Sequence, residues 1–290
     1  MTTTSTPIRP PITQERVHRI AEAAYRIRLN SLIQAEVQGQ GYIGQALGVS
    51  DVLAVLYADQ LTLRPEDPAW EGRDRLQLSM GHYALALYAA LADVGYFPES
   101  ELTSYATDDS RLPMSSMSSY TPGVEISGGS LGHGLVIANG VAMGLKRKGS
   151  DSVVYNLLSD GEIDEGSTWE AAAVASHHRL NNLIAIVDDN NQQADGPSRE
   201  ILDTQPIDGR FAAFGWETRT CDGNDIRAVL EALEELRYGV TNDKPRCLVV
   251  RTKLAKGVDF LESREKLHFM KVAPHEWQLA QDKLKETRHS

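Results

Sequence analysis

Apolar and polar positions divide the chain into a first half with few clear periods and a second half that alternates strand and helix. Val17, Ile20, Ala24 and Ile27 recur at helical spacing, so residues 13–36 are predicted as a helix, closed by Gly39 and Gly41. Ser50 reads as the N-cap of a second helix, residues 51–60, built on Val52, Val55 and Leu56. Arg64-Pro65-Glu66-Asp67-Pro68 reads as a loop, residues 75–79 as a short strand, and the apolar stretch 83–94 as a largely buried helix. Over residues 103–130 Ser, Met, Gly and Pro dominate and no period emerges; a loop this long inside a domain is usually functional or disordered. Gly128-Gly129 and Leu131-Gly132-His133-Gly134 then lead into an apolar helix, residues 135–145. Glycines ahead of a helix allow close approach of backbone to a ligand.

The second half reads as strand 153–158, helix 167–178, strand 183–187, strand 216–220, helix 226–237, strand 247–252 and a polar helix 276–289. Strands that are apolar without interruption must be covered on both faces. The predicted fold class is therefore α/β, a mostly parallel sheet with helices on both faces. Residues 1–12, rich in Thr and Pro, read as a loose arm, and residues 13–290 as one domain.

Composition narrows the function classes. The 290 residues carry 29 Lys and Arg against 40 Asp and Glu, a net charge of −11. So acidic a chain is a poor counterion for a phosphate backbone, which argues against nucleic acid and anionic membranes. Its apolar runs fall far short of the ~20 residues that span a bilayer. Two cysteines, Cys221 and Cys247, cannot build a disulfide framework or a cysteine zinc site. A cytoplasmic protein fits these features.

In a parallel sheet, ligands bind beyond the carboxyl ends of the strands. Two predicted strands end in polar clusters, Ser159-Asp160-Gly161-Glu162 and Asp188-Asp189-Asn190-Asn191-Gln192. Either alone is ordinary turn chemistry. Together, one strand–helix–strand crossover apart, they put a carboxylate and an amide oxygen on one sheet edge. That is a hard oxygen site suited to Mg²⁺ or Ca²⁺, with room left for phosphate oxygens and water.

Asp160-Gly161-Glu162, the intervening helix and Asp189-Asn190-Asn191 resemble the thiamine-diphosphate signature. More narrowly, residues 21–274 resemble the N-terminal, diphosphate-binding half of transketolase. Residues 44–51, Arg73-Asp74-Arg75, residues 79–83, Tyr120-Thr121-Pro122-Gly123-Val124-Glu125, Leu131-Gly132-His133-Gly134 and Lys256-Gly257-Val258 support the likeness. The resemblance implies the thiamine-diphosphate-binding fold, with Asp160, Asn190 and the Gln192 carbonyl as metal ligands. It places Gly161 and Glu162 at the diphosphate, and Gly129 and Leu131 at the cofactor's rings. His82 would stand beside the diphosphate and the reacting carbon, His268 near the diphosphate and substrate, and Glu165 at a subunit interface. The implied cofactors are thiamine diphosphate and Mg²⁺ or Ca²⁺. The implied partner is a separate pyrimidine-binding, C-terminal transketolase subunit, two copies of each forming the enzyme.

The chain departs from the family where substrate histidines stand. Gly41-Tyr42-Ile43-Gly44 replaces Gly-His-x-Gly, and Ser115 stands near a second histidine position. Ser159 replaces a glycine, and His133 a glutamine. Retained metal positions beside altered substrate positions imply two-carbon ketol transfer to a non-standard aldehyde acceptor. Two other readings remain at this stage: a decarboxylating 2-oxo acid enzyme subunit, and a non-catalytic scaffold.

Overall fold

The apolar runs of the second half become the strands of one sheet. The computed structural model describes residues 11–288, so residues 1–10 of the expected arm and the last two residues lie outside the described part. Strands β1 (Arg75–Leu78), β2 (Val154–Ser159), β3 (Leu183–Asp189), β4 (Glu217–Asp222) and β5 (Arg246–Arg251) lie in the order β1-β2-β3-β5-β4. Every neighbouring pair is parallel.

Both faces of the inner strands β2, β3 and β5 are buried, which is why they read as continuous apolar runs, whereas the edge strand β4 is polar and partly exposed. Tyr155, Leu157, Ile184, Ile186, Leu248 and Val250 enter one core cluster. Their alternates Val154, Leu158, Leu183, Ala185, Val187, Cys247 and Val249 enter the other. The first face is covered by α1 (Gln14–Gln38), α2 (Ile43–Val55), α3 (Ala84–Asp93), α7 (Ile226–Glu234) and α8 (Glu276–Thr287). The second is covered by α4 (Gly134–Arg147), α5 (Gly166–His177) and α6 (Ile207–Ala213). Among the described residues no helix is long and apolar enough to cross a membrane.

Helix α1 starts where Thr13 caps it, its hydroxyl accepting from the Arg16 amide at 3.2 Å, and ends at Gly39, whose φ is +65°. The second helix corrects the sequence reading. It runs Ile43–Val55, followed by a π-helical turn Leu56–Gln60, so Ser50 lies inside it and is no N-cap. The Ser50 hydroxyl donates back to the Ala46 carbonyl at 2.7 Å. All thirteen residues of α2 are buried, so no amphipathic period marks its start. A Cβ on Gly44 would stand 2.6 Å from the Leu267 carbonyl oxygen, so this glycine serves a close crossing rather than a break. The helix predicted over 226–237 likewise ends as α7 at Glu234 and continues as a π-helical turn, Glu235–Gly239.

Candidate active site

Three adjacent parallel strands deliver three chain tips to one edge of the sheet. Beyond β1, Ser79 and Met80 lead into a 3₁₀ turn, Gly81–Tyr83, that presents His82. Beyond β2 come Asp160, Gly161 and the turn Glu162–Asp164. Beyond β3 come Asn190 and Asn191, the latter at φ +55°. The register pairs Ser159 with Asp188, and the Asp160 amide donates to the Asp188 carbonyl at 3.0 Å.

The β2 and β3 tips hold a buried acidic cluster. Asp188 is fully buried and accepts from the Tyr83 hydroxyl at 2.8 Å, the Asn190 amide at 3.0 Å and the Thr252 hydroxyl at 2.5 Å. The Tyr83 hydroxyl in turn accepts from Asn190 Nδ2 at 2.8 Å. These contacts orient the Asn190 amide, and its Oδ1 accepts from the Gln192 amide at 2.9 Å. Asp160, 2% exposed, accepts from the Gly161 amide at 2.9 Å and the Ser198 hydroxyl at 2.8 Å. Both donors are neutral, and among the described residues the nearby Arg199 pairs with Asp189 rather than with Asp160. Burial, followed by the charges of Asp188 and Asp189, pushes the Asp160 carboxyl up to about 7.

A buried carboxylate crowded by two others and held only by neutral donors is the environment a divalent ion would relieve. Among the described residues no three His, Cys, Asp or Glu side chains gather as a metal group. The set available here is one carboxylate, one oriented amide oxygen and one backbone carbonyl. Ionised Asp160 has lone pairs beyond the two in use. The donors therefore fit a hard cation that keeps positions for phosphate oxygens and water.

Beside this cluster lies a cavity of about 220 Å³, lined by His82, His268, Gly129, Leu131, Gly161 and Gln192 among others. The two imidazoles lie 5.4 Å apart. The Tyr42 ring packs against both, at 4.8 Å from His82 and 5.4 Å from His268. Gln45 Nε2 lies 2.9 Å from His268 Nδ1, which leaves Nε2 of that ring as its other polar atom.

Burial, reinforced by His268, drops the His82 imidazole to about 3. His82 is therefore expected to remain neutral at physiological pH. Its ring resonances should show no titration between about pH 5 and 8, where an unperturbed histidine titrates. The folded-state value lies below the unfolded 6.5, so the stability linked to His82 is present above that pH and is lost as pH falls. A normal His82 titration in a pH series of proton–nitrogen spectra would contradict this.

A larger cleft of about 450 Å³ lies elsewhere, between α1, α8 and Lys256-Gly257. Lys256 and Gly257 of the Lys256-Gly257-Val258 motif thus line this cleft rather than the histidine cavity, and Val258 is buried in the core. Asp51 in the cleft is already bonded to Arg28 and Asn224. Strand-end chemistry, not volume, marks the 220 Å³ cavity as the candidate site.

Known proteins agree with this architecture. Residues 20–288 match the family described as transketolase, thiamine diphosphate binding domain. The chain belongs to that transketolase family. A transketolase family protein of Sinorhizobium fredii, y4mO, is 58% identical over 89% of this chain and 92% of its own. A protein of Actinobacillus succinogenes, named as one of the subunits of an apulose-4-phosphate transketolase, is 39% identical over 88% of this chain and 91% of its own. The crystal structure of Campylobacter jejuni transketolase superposes with a TM-score of 0.84 at 30% identity, covering 96% of this chain. This chain spans only 43% of that transketolase.

Within this transketolase fold the residues singled out from the sequence do not all face the cavity. His82, His268, Gly129, Leu131, Gly161 and Gln192 line the cavity. Asp160 and Asn190 lie behind that lining, engaged in the hydrogen bonds described. Tyr42 contacts the two imidazoles, and the Ser115 hydroxyl donates to the Gly128 carbonyl at 3.3 Å beside Gly81. Glu165 is exposed at the start of α5. Glu162 does not face the cavity. It is fully buried, and its Oε1 accepts from the Ser79 hydroxyl and the Gly132 amide.

Tyr83, Gln45 and Ser198 organise this candidate site, although the sequence did not single them out. Tyr83 stands in the 79–83 motif, and its neighbour His82 drew the attention. Ser198 lies 38 positions beyond Asp160, and no local pattern ties the two together.

Proposed function

We propose that this chain is the diphosphate- and metal-binding subunit of a two-component, thiamine-diphosphate-dependent transketolase with a non-standard acceptor. The observation that carries the reading is the Asp160 carboxyl, held only by neutral donors beside an oriented Asn190, directly behind Ser159 and Gly161 in the lining of a cavity that His82 and His268 share. The Actinobacillus relative, whose name gives it as one subunit and its substrate as apulose-4-phosphate, supports both a separate partner and an unusual substrate.

In this reading Asp160, Asn190 Oδ1 and the Gln192 carbonyl hold Mg²⁺ or Ca²⁺. The Gly161 backbone meets the diphosphate, and Gly129 and Leu131 meet the rings. When bound, thiamine diphosphate supplies the carbanion-stabilising centre that ketol transfer requires. Neutral His82 and His268 accept or donate a proton at a ring nitrogen facing the cavity. Tyr42 stands where it can hydrogen-bond a substrate hydroxyl, but it cannot shuttle protons near neutrality. Proton transfer therefore falls to the two histidines and the partner's groups.

Calorimetry on the chain with its partner subunit is expected to detect thiamine diphosphate binding that needs Mg²⁺. Absence of metal-dependent binding would mark a scaffold, and CO₂ release from a 2-oxo acid would mark a decarboxylating enzyme. In ketol-transfer assays, ordinary pentose phosphates are expected to be poorer acceptors than other aldehydes. A marked preference for the pentose phosphates would remove the case for an altered acceptor at Tyr42 and Ser115.

A further inference from the structure

The side chain of Glu162 turns away from the cavity and into the molecule, where it joins two walls that the backbone leaves separate. One wall is the β2 tip, with Asp160 and Gly161. The other is the segment 128–134, with Gly129 and Leu131. Two residues, Ser79 and Glu162, take three of the second wall's amides. The Ser79 carbonyl accepts from the Gly129 amide at 2.8 Å. The Ser79 hydroxyl accepts from the Gly134 amide at 3.1 Å and donates to Glu162 Oε1. The same Oε1 accepts from the Gly132 amide at 3.0 Å.

Amides 129, 132 and 134 are thus fastened to one serine–glutamate pair, and nothing in that pair touches the cavity. Glu162 is itself held on the first wall. Its amide donates to the Ser159 hydroxyl at 3.2 Å, and its carbonyl accepts from the Thr168 hydroxyl at 3.2 Å. The fit is tight: a Cβ on Gly134 would stand 2.1 Å from the Ser79 hydroxyl oxygen, and one on Gly132 would stand 2.4 Å from that of Ser167. The segment 128–133 belongs to no helix or strand, so its place rests on these bonds together with those that Gly128 makes to Ser115 and Ser116 and the one the Ser167 hydroxyl donates to the Gly132 carbonyl at 2.9 Å.

We infer that Glu162, with Ser79, is a positioning latch that keeps the Gly129–Leu131 wall in register with the Asp160–Gly161 rim. It acts through the cradle's backbone and touches neither ligand nor metal. This rests on the proposed cofactor reading for its functional consequence, but the latch itself is a property of the unliganded protein. A residue that orients a binding shell from behind typically matters 10–100-fold.

The test compares Glu162→Ala, Glu162→Gln and Ser79→Ala in the full chain with its partner subunit. Without ligand, amide hydrogen exchange is expected to quicken at residues 129–134 in Glu162→Ala and Ser79→Ala, with β2 and β3 exchanging as in the parent. Glu162→Gln keeps the acceptor oxygen and should keep the protection. With Mg²⁺, calorimetry should give thiamine diphosphate affinity about 10–100-fold weaker in Glu162→Ala, largely restored in Glu162→Gln. Should Glu162→Ala not fold, Ser79→Ala reads the same latch from its other side. Unchanged exchange at 129–134, unchanged affinity, or protection lost across the whole sheet each overturns the inference. If the parent complex binds no thiamine diphosphate, the function reading fails while the exchange measurement still decides the latch.

Discussion

Replacing Asp160 with Asn is expected to abolish Mg²⁺-dependent binding of thiamine diphosphate and, in the same protein, to raise the stability of the unliganded fold. The two effects have one cause. Asp160 supplies the formal negative charge of the proposed ligand set, and losing one partner of a desolvated ion contact costs about 3–5 kcal/mol, or roughly 10²–10⁴-fold in affinity. Without the cation, the same charge is a liability. It is buried beside Asp188 and Asp189, and its carboxyl is raised from 3.8 to about 7. Each unit of such a shift corresponds to about 1.4 kcal/mol, so the ionised carboxylate costs the unliganded fold a few kcal/mol. Asn keeps the shape and the acceptor for the Gly161 amide, and the Ser198 hydroxyl can turn to accept from the new amide.

The sign with pH follows. Because the folded-state value lies above the unfolded one, the folded state binds more protons at Asp160 between them, and the part of the stability linked to Asp160 falls as pH rises from about 4 to about 7. Glu162, raised by burial to about 7, acts in the same direction and His82, lowered to about 3, in the opposite one, so Asp160→Asn should remove only Asp160's downward contribution, read as a stability difference between variant and parent that grows with pH. Mg²⁺ with thiamine diphosphate should offset the loss in the parent protein by mass action and leave the variant unchanged. Denaturant midpoints measured from pH 4 to 8, with and without both ligands, check this. A variant that binds as the parent does, or one that is less stable at pH 8, contradicts it.

Much of this was legible in the chain because burial on both faces leaves a strong signature. Residues 154–158 and 183–187 contribute alternately to the two cores, so no polar position interrupts them apart from Asn156. Once the strands were parallel, topology alone sent Asp160 and Asn190 to the same edge. Helix α2 was misread for the opposite reason. A helix buried all round has no polar stripe, and Gly44 and Gly48, needed for close contact with residues 253–267, look like breaks. At the site, the residues that bear on chemistry could be read from type and place, but those that hold them could not. Glu162 stands in the motif, yet its side chain serves the fold behind the cavity. Tyr83, Ser198 and Thr252 reach the acidic cluster from three separate segments, and only folded proximity reveals them.

Ketol transfer by the purified chain alone is expected to be undetectable, and adding the pyrimidine-binding subunit should bring turnover to the ~1–10³ s⁻¹ of ordinary enzymes. In the proposed reading these walls form one side of a reaction chamber. His82, His268, Gly129 and Leu131 face a cavity of about 220 Å³, and around that cavity the surface stays open: His133 and Phe269 are exposed. Apolar Val136 and Ile137, in the first turn of α4, are 47% and 41% exposed, close along the chain to the Gly129–Leu131 wall. Carbanion chemistry requires water to be kept out, and neutral histidines with depressed basicity work best when desolvated. A second subunit closing over this rim would exclude water and cover the apolar turn together. The measurement is a titration of the chain with its partner, following product formation and complex mass in parallel. Activity should rise with the complex and saturate when the chain is fully assembled. Full turnover by the isolated chain, or assembly without any gain in turnover, would sink the two-component reading and leave the strand-edge metal site to be explained in another way.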